Sequence, residues 1–265
     1  MFCIRASTCL PLVMALITGG CASGYAQFYQ PTDGMTQEVV ERIRVASPPA
    51  TPLIEHASCC DRDGDMQALV DRYIRRGYEI IGFSSFNSSV PPENEGAIAQ
   101  GKGVGADRVV IFRPRYTNSS TSAVPLVLPV TSTTVIAGTP GPIVATTTAT
   151  QTTIIPVTKR MYDYGAWYLV KRKYELGVQF RDVTTEERQA LQTNKGCGVR
   201  LVVDDTPAFH ADILDNDIVV GVNGQQVASC NHFSEILQGA SDVNVELSIF
   251  RGGKFLLKNF ELGSD

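Results

Sequence analysis

The chain has 265 residues, 43% of them hydrophobic and 19% charged, a balance that leaves room for about two domains and excludes disorder throughout. With 23 Lys and Arg against 27 Asp and Glu, the formal net charge is -4. No run of basic residues offsets that locally, so the electrostatic footprint of a nucleic-acid binder is missing and no nucleic-acid partner is expected.

Residues 1–20 hold one charged side chain, Arg5, and an apolar run from Leu10 to Ile17 that ends in Thr18-Gly19-Gly20-Cys21. This is the pattern of a signal peptide, and the run falls well short of the ~20 residues a membrane-spanning helix needs. The segment resembles a bacterial lipobox, with Thr18 where Leu is commoner. That resemblance implies cleavage before Cys21 and acylation of Cys21 by chains such as palmitate; an ordinary secretory signal is the alternative. Acyl chains anchor at ~0.8 kcal/mol per buried methylene, and Ala22 in place of Asp after Cys21 implies the outer membrane, with the protein facing the periplasm. Of the seven cysteines, Cys3 and Cys9 leave with the signal. Cys59, Cys60, Cys197 and Cys230 then remain in an oxidising compartment. Four cysteines allow three pairings, one of which joins Cys197 to Cys230. No second pair stands at zinc-ligand spacing from Cys59 and Cys60, so disulfides or free thiols are expected and no metal.

Residues 21–52 are polar with scattered Gly and Pro, and read as a tether carrying one amphipathic segment, Thr36 to Val45. A small α/β domain follows over residues 53–116. Asp65 stands as an N-cap before a helical stripe of Met66, Leu69, Val70, Tyr73 and Ile74, closed by Arg75, Arg76 and Gly77. A buried strand over Tyr78 to Phe83, a weaker helix over Glu93 to Gly105 and a second strand over Arg108 to Phe112 complete a helix-strand-helix-strand order. That unit is too small to close a core alone. Residues 117–158 are rich in Thr, Val, Ser and Pro. Their β-branched content favours hairpin-like strands, turning at Gly138-Thr139-Pro140-Gly141, over a solvated linker. Residues 159–173 read as a strand connecting to the last domain.

Several motifs invite a catalytic or ligand-binding reading and fail on spacing. Asp61, Asp63, Gly64 and Asp65 imitate a calcium loop, but its twelfth position, where a bidentate Glu belongs, is Arg72. Gly101, Gly103 and Gly105 end a helix and precede a strand, the reverse of a dinucleotide fingerprint, and read as helix termination. The three histidines, His56, His210 and His232, accompany no serine in a nucleophile motif. No catalytic residue, metal or cofactor is therefore assigned, and no enzyme activity is expected.

Residues 174–263 form the most legible module. Glu175 to Phe180 reads as a loop and strand, Thr184 to Glu187 as a capping box opening a helix to Leu191, and Gly198 to Val203 as a strand. A helical turn over Phe209 to Leu214 follows, then strand Ile218 to Val222 and an Asn223-Gly224 hairpin turn. Asn231 to Gln238 is a second helix, and strands Val243 to Phe250 and Phe255 to Leu262 finish the chain. The fold class is α+β, with two helices and about six strands making a small, partly open barrel.

Three motifs in this order resemble the PDZ domains of the periplasmic high-temperature-requirement proteases: Glu175-Leu176-Gly177-Val178, Thr206-Pro-Ala-Phe-His-Ala-Asp-Ile-Leu214, and Asn216-Asp-Ile-Val-Val-Gly-Val-Asn-Gly224. Asp212 and Asn216 stand where that family has Gly, and Asn tolerates left-handed backbone. The protease domain has no counterpart among the motifs. The resemblance implies a peptide partner added as a strand along Val178, Gln179 and Phe180, its carboxylate received by backbone N–H groups around Leu176, Gly177 and Val178. Gly177 is then read as leaving room for the ligand. The resemblance also places His232 and Ile236 on the opposite wall, with His232 either touching the ligand or merely exposed. The expected function is a membrane-anchored adaptor that binds peptide or protein C-termini. A structural part of an envelope or secretion complex is the alternative, with an accessory to a protease behind it.

Overall fold

The computed structural model describes residues 23–58, 65–136, 143–239 and 244–262. Cys21, the Cys59-Cys60 pair, most of the calcium-like loop and the turn at Gly138 to Gly141 lie outside the described residues.

The first domain runs through α1 (Gly24–Gln27), β1 (Tyr29–Pro31), α2 (Gln37–Ile43), β2 (Leu53–Ala57), α3 (Asp65–Arg75), β3 (Tyr78–Ser88), α4 (Asn94–Gly103), β4 (Arg108–Phe112), β5 (Arg115–Ile136) and β6 (Ile143–Lys171). Its sheet has the order β1-β3-β6-β4-β2, with β5 paired to β6. Side chains of β4 and β6 alternate between two cores, because neighbouring residues of a strand point to opposite faces. Val109, Ile111, Ala166, Tyr168 and Val170 meet Tyr25, Val40 and Ala97 of α1, α2 and α4 on one face. Val110 and Leu169 meet Leu69 and Tyr73 of α3 on the other. Burial on both sides explains why Arg108 to Phe112 reads as an apolar run without alternation.

Three expectations change here. The tether is replaced, over its described part, by α1, β1 and α2: Tyr25 and Val40 are core residues, and β1 pairs with β3. Residues 159–171 are a strand, as expected, but belong to the central strand of this sheet, with residues 162–171 paired to β3, residues 166–169 to β4 and residues 159–161 to β5. Of the three glycines read as helix termination, Gly101 lies inside α4, where an added Cβ would come within 2.4 Å of Val109, so it permits close helix-to-sheet packing. Gly105, with φ +70°, is the one that ends the helical segment.

β5 and β6 continue past the sheet as a two-stranded ribbon paired from Asn118 with Met161 to Ile136 with Ile143, about 60 Å at ~3.3 Å per residue. Residues 116–158 contain no Asp, Glu, Lys, Arg or His. Pro125, Pro129 and Pro156 all occupy ladder pairs of one parity, opposite Ile154, Thr150 and Ala123. A residue without an N–H fits only where that N–H would point away from the partner strand, so all three remove donors from the outer edges. Edge pairing is thereby blunted without the usual Lys. Every described residue of 121–158 is exposed, so the ribbon adds no core. Replacing residues 121–158 by an Asn-Gly turn is expected to leave the urea-unfolding midpoint of the rest unchanged. A loss above about 1 kcal/mol would show that the ribbon does contribute to stability.

The second domain comprises β7 (Val178–Arg181), α5 (Thr185–Leu191), β8 (Cys197–Val202), α6 (Pro207–His210), β9 (Ile218–Val222), β10 (Gln225–Gln226), α7 (Cys230–Gly239), β11 (Asn244–Arg251) and β12 (Lys254–Glu261). Its sheet has the order β12-β11-β9-β8-β7, with β10 on β9, and does not close into a barrel. One core, including Val199, Ile213, Val222, Phe233, Leu247 and Ile249, lies beneath it. The capping box forms in both directions between Thr184 and Glu187. Asn216 and Asn223 adopt φ of +69° and +48°, the left-handed angles that Asn tolerates.

The two domains dock through α3. Its apolar stripe divides: Leu69 and Tyr73 face their own sheet, while Val70 and Ile74 pack on Leu201, Val203 and Tyr174. Burial in this junction pushes the Tyr174 hydroxyl up to about 12. Arg75 pairs with Asp215, the Arg75 carbonyl accepts from the Asp204 N–H at 2.8 Å, and Arg200 donates to Asp71 at 2.8 Å and also to Gln179.

Candidate functional site

Strand β7 is the edge of its sheet, with β8 on one side and a cleft of about 610 Å³ on the other. Val178 and Phe180 line the floor, and Phe180 meets Phe233 of α7 edge to face at 4.8 Å. Ser234, Leu237 and Gln238 of α7 form the opposite wall, and Tyr174 to Gly177 close one end. Arg42 and Ile43 of α2 and Arg172 and Lys173 beyond β6 complete the lining from the first domain.

The loop at the closed end has the chemistry of an anion receptor. The Leu176 and Gly177 carbonyls accept from Ala208 and Val203 at 3.0 and 2.8 Å. Among the described residues neither the Leu176 nor the Gly177 N–H has a hydrogen-bond partner. Two adjacent unpaired N–H groups at a left-handed residue, Gly177 with φ +84°, suit a carboxylate.

The expected site residues divide accordingly. Leu176, Gly177, Val178 and Phe180 all line the cleft. Gln179 faces away, as strand alternation requires, and receives Arg200. His232 and Ile236 are not lining residues. At ~100° per helical residue His232 stands about 160° around α7 from Ser234. Its Nδ1 accepts from the Ala228 N–H at 3.1 Å, which fastens the turn before the helix, and Ile236 packs on the core. The helical period, started from the buried Phe233, is the signal that could have found Ser234 and Leu237. No local signal marks Arg42 or Ile43, which reach the cleft only through domain docking.

Cys197 and Cys230 form a disulfide with Cα atoms 4.7 Å apart, tying the start of α7 to β8. Their separation of 33 residues gives reduction an expected cost of about 2–4 kcal/mol. Urea unfolding with and without dithiothreitol measures it, and coincident curves would deny the bond a stabilising role.

At the far end of β7, Arg181 donates to both Glu187 oxygens at 2.7 and 2.6 Å. That contact holds the Glu187 carboxyl below the usual range, opposed by partial burial and aided by the Thr184 N–H. A carboxyl depressed in the folded state stabilises fully above its unfolded pKa, and the contribution disappears as pH falls through the folded value. The stability advantage of the native chain over Glu187→Gln should therefore be present at pH 6 and shrink progressively below the ordinary Glu range. An advantage independent of pH would exclude this linkage.

A family model described as PDZ domain matches residues 175–262. Among solved structures, the HtrA3 PDZ domain bound to a phage-derived ligand is 26% identical, covering 34% of this chain and 84% of its own, with a TM-score of 0.30. An HtrA-type AlgW protease with decapeptide is 17% identical over 37% of this chain and 36% of its own, TM-score 0.29. A variant of the same protease with decapeptide is 22% identical over 33% of this chain and 28% of its own, TM-score 0.29. On the family model, residues 175–262 are a PDZ domain.

Proposed function

We propose that this chain is a non-enzymatic envelope lipoprotein, anchored through Cys21, that binds the C-terminus of a partner protein by strand addition along β7. The observation that carries this reading is the free edge of β7 beside a cleft that ends in unpaired N–H groups. Main-chain pairing supplies affinity in such a mode, and the apolar floor of Val178 and Phe180 takes a ligand side chain. Support for the anchor is the lipobox-like sequence from Thr18 to Cys21 after the apolar run Leu10 to Ile17.

Titration of fluorescent decapeptides with free and amidated C-termini into the full chain tests the groove. Free peptides should bind at least about tenfold more tightly than their amides, and Ser234→Trp, which fills the cleft, should abolish both. A folded chain that binds no peptide, or binds both forms equally, overturns the reading. Incorporation of labelled palmitate that persists in Cys21→Ser would overturn the anchor.

A further inference from the structure

We propose that the first domain completes the ligand site, and that Arg42 selects peptides carrying an acidic side chain within the last few residues before their terminal carboxylate. This rests on the peptide-binding reading above and adds to it a partner chemistry that the PDZ domain alone does not specify.

Arg42 is held at the cleft by backbone. The Ile43 carbonyl accepts from the Lys173 N–H at 2.7 Å, and the Val45 N–H donates to the Lys171 carbonyl at 3.0 Å. Between them Arg44 and Arg172 form a β-bridge. The buried Arg44 guanidinium donates to Asp107 at 2.7 Å, and the other oxygen of Asp107 accepts from the Lys171 N–H at 2.7 Å. The last turn of α2 is therefore fixed to the segment that, two residues beyond Lys173, becomes the carboxylate-receiving loop.

The charges at that end favour a second anion. Among the lining residues Glu175 is the one carboxylate beside Arg42 and Arg172, in a chain whose overall charge is -4. Arg172 is engaged by Glu79 at 2.8 Å. Arg42 is exposed and pairs with no carboxylate among the described residues. The loop N–H groups account for one ligand charge, the terminal carboxylate. Arg42 offers a guanidinium, with its fork of donors, to another.

The test uses the full chain, as wild type, Arg42→Gln and Arg42→Glu, against free-carboxylate decapeptides ending in Val, Leu, Phe or Ala. Each peptide is made with Glu and with Gln at either of the two positions before the terminus. For those that bind, the Glu form should be favoured about threefold to fivefold by the wild type, as for a solvent-accessible ion pair. The preference should vanish in Arg42→Gln, reverse in Arg42→Glu, and weaken with added salt. Arg42 is exposed, so unchanged urea midpoints will verify folding. Peptides that bind without discrimination, or a preference that survives Arg42→Gln, overturn this inference and leave the proposed function standing. A folded wild type that binds none of the peptides overturns both.

Discussion

Replacing Arg251 with Met is expected to destabilise the PDZ domain by about 3–5 kcal/mol, because it strands a buried carboxylate. Asp217 is 1% exposed. Arg251 donates to both of its oxygens, at 2.6 and 2.7 Å, and the same carboxylate accepts from the Leu214 N–H at 2.8 Å. A third guanidinium bond, to the Asp212 carbonyl at 2.7 Å, ties β11 to the turn after α6. The contact with Asp217 pushes the Arg251 guanidinium further up, so it stays charged at any usable pH. Most of the cost lies in leaving one charge without its partner, so Arg251→Met combined with Asp217→Leu should recover part of the stability lost by Arg251→Met alone. Urea unfolding measures both. A single-variant loss below about 1 kcal/mol would mean that water reaches Asp217 and the pair contributes little.

Gly177→Ala should cost about 2–5 kcal/mol, from left-handed strain together with overpacking. An added Cβ would come within 2.1 Å of Thr206 Oγ1 and 2.3 Å of Thr206 Cβ, and φ at this residue is +84°. Thr206 cannot easily retreat, because it is buried and its hydroxyl donates to the Val203 carbonyl at 2.7 Å. The glycine is therefore required on its inward side, by its own domain. The expectation that it leaves room for a ligand is replaced by this finding, and a bulky substitution here damages the fold before it reports on the groove. In a cycle with Thr206→Gly, the double variant should be less destabilised than the sum of the singles. Additive effects would remove the steric contact as a cause and leave the backbone angle alone.

Features legible in the sequence are those whose partners lie a few residues away. The Thr184 and Glu187 box satisfies its own helix start, and Asn216 and the Asn223-Gly224 turn answer to the left-handed angles of their own residues, so residue type and spacing suffice. Local periodicity likewise reveals α3, and a short apolar run reveals the strand Arg108 to Phe112. For α3, however, a single stripe conceals two partners, and nothing in its spacing separates Leu69 and Tyr73 from Val70 and Ile74. Helix α7 is equally legible, but its phase toward the cleft is not, because His232 and Ile236 share a face that is turned from the groove.

Chain organisation is least legible where pairing spans long separations. The polar segment over residues 21–52 has the composition of a tether, yet β1 binds β3 some 50 residues on and Arg44 is buried against Asp107. Lys159 to Lys171 looks like a connection because its ladder partners, Tyr78 to Ser88, Arg108 to Ile111 and Arg115 to Ser120, lie far back in the sequence.

The order of motifs over residues 175–262 suffices by itself to point to a PDZ domain opening on the Glu175 to Val178 loop, since residue types at fixed spacing mark its turns and caps. Tertiary structure alone decides what surrounds that loop. The Ile43 to Lys173 hydrogen bond and the packing of Ile74 on Leu201 and Val203 bring Arg42 to the cleft. Those contacts join residues more than 100 positions apart, where composition and period carry no information about proximity.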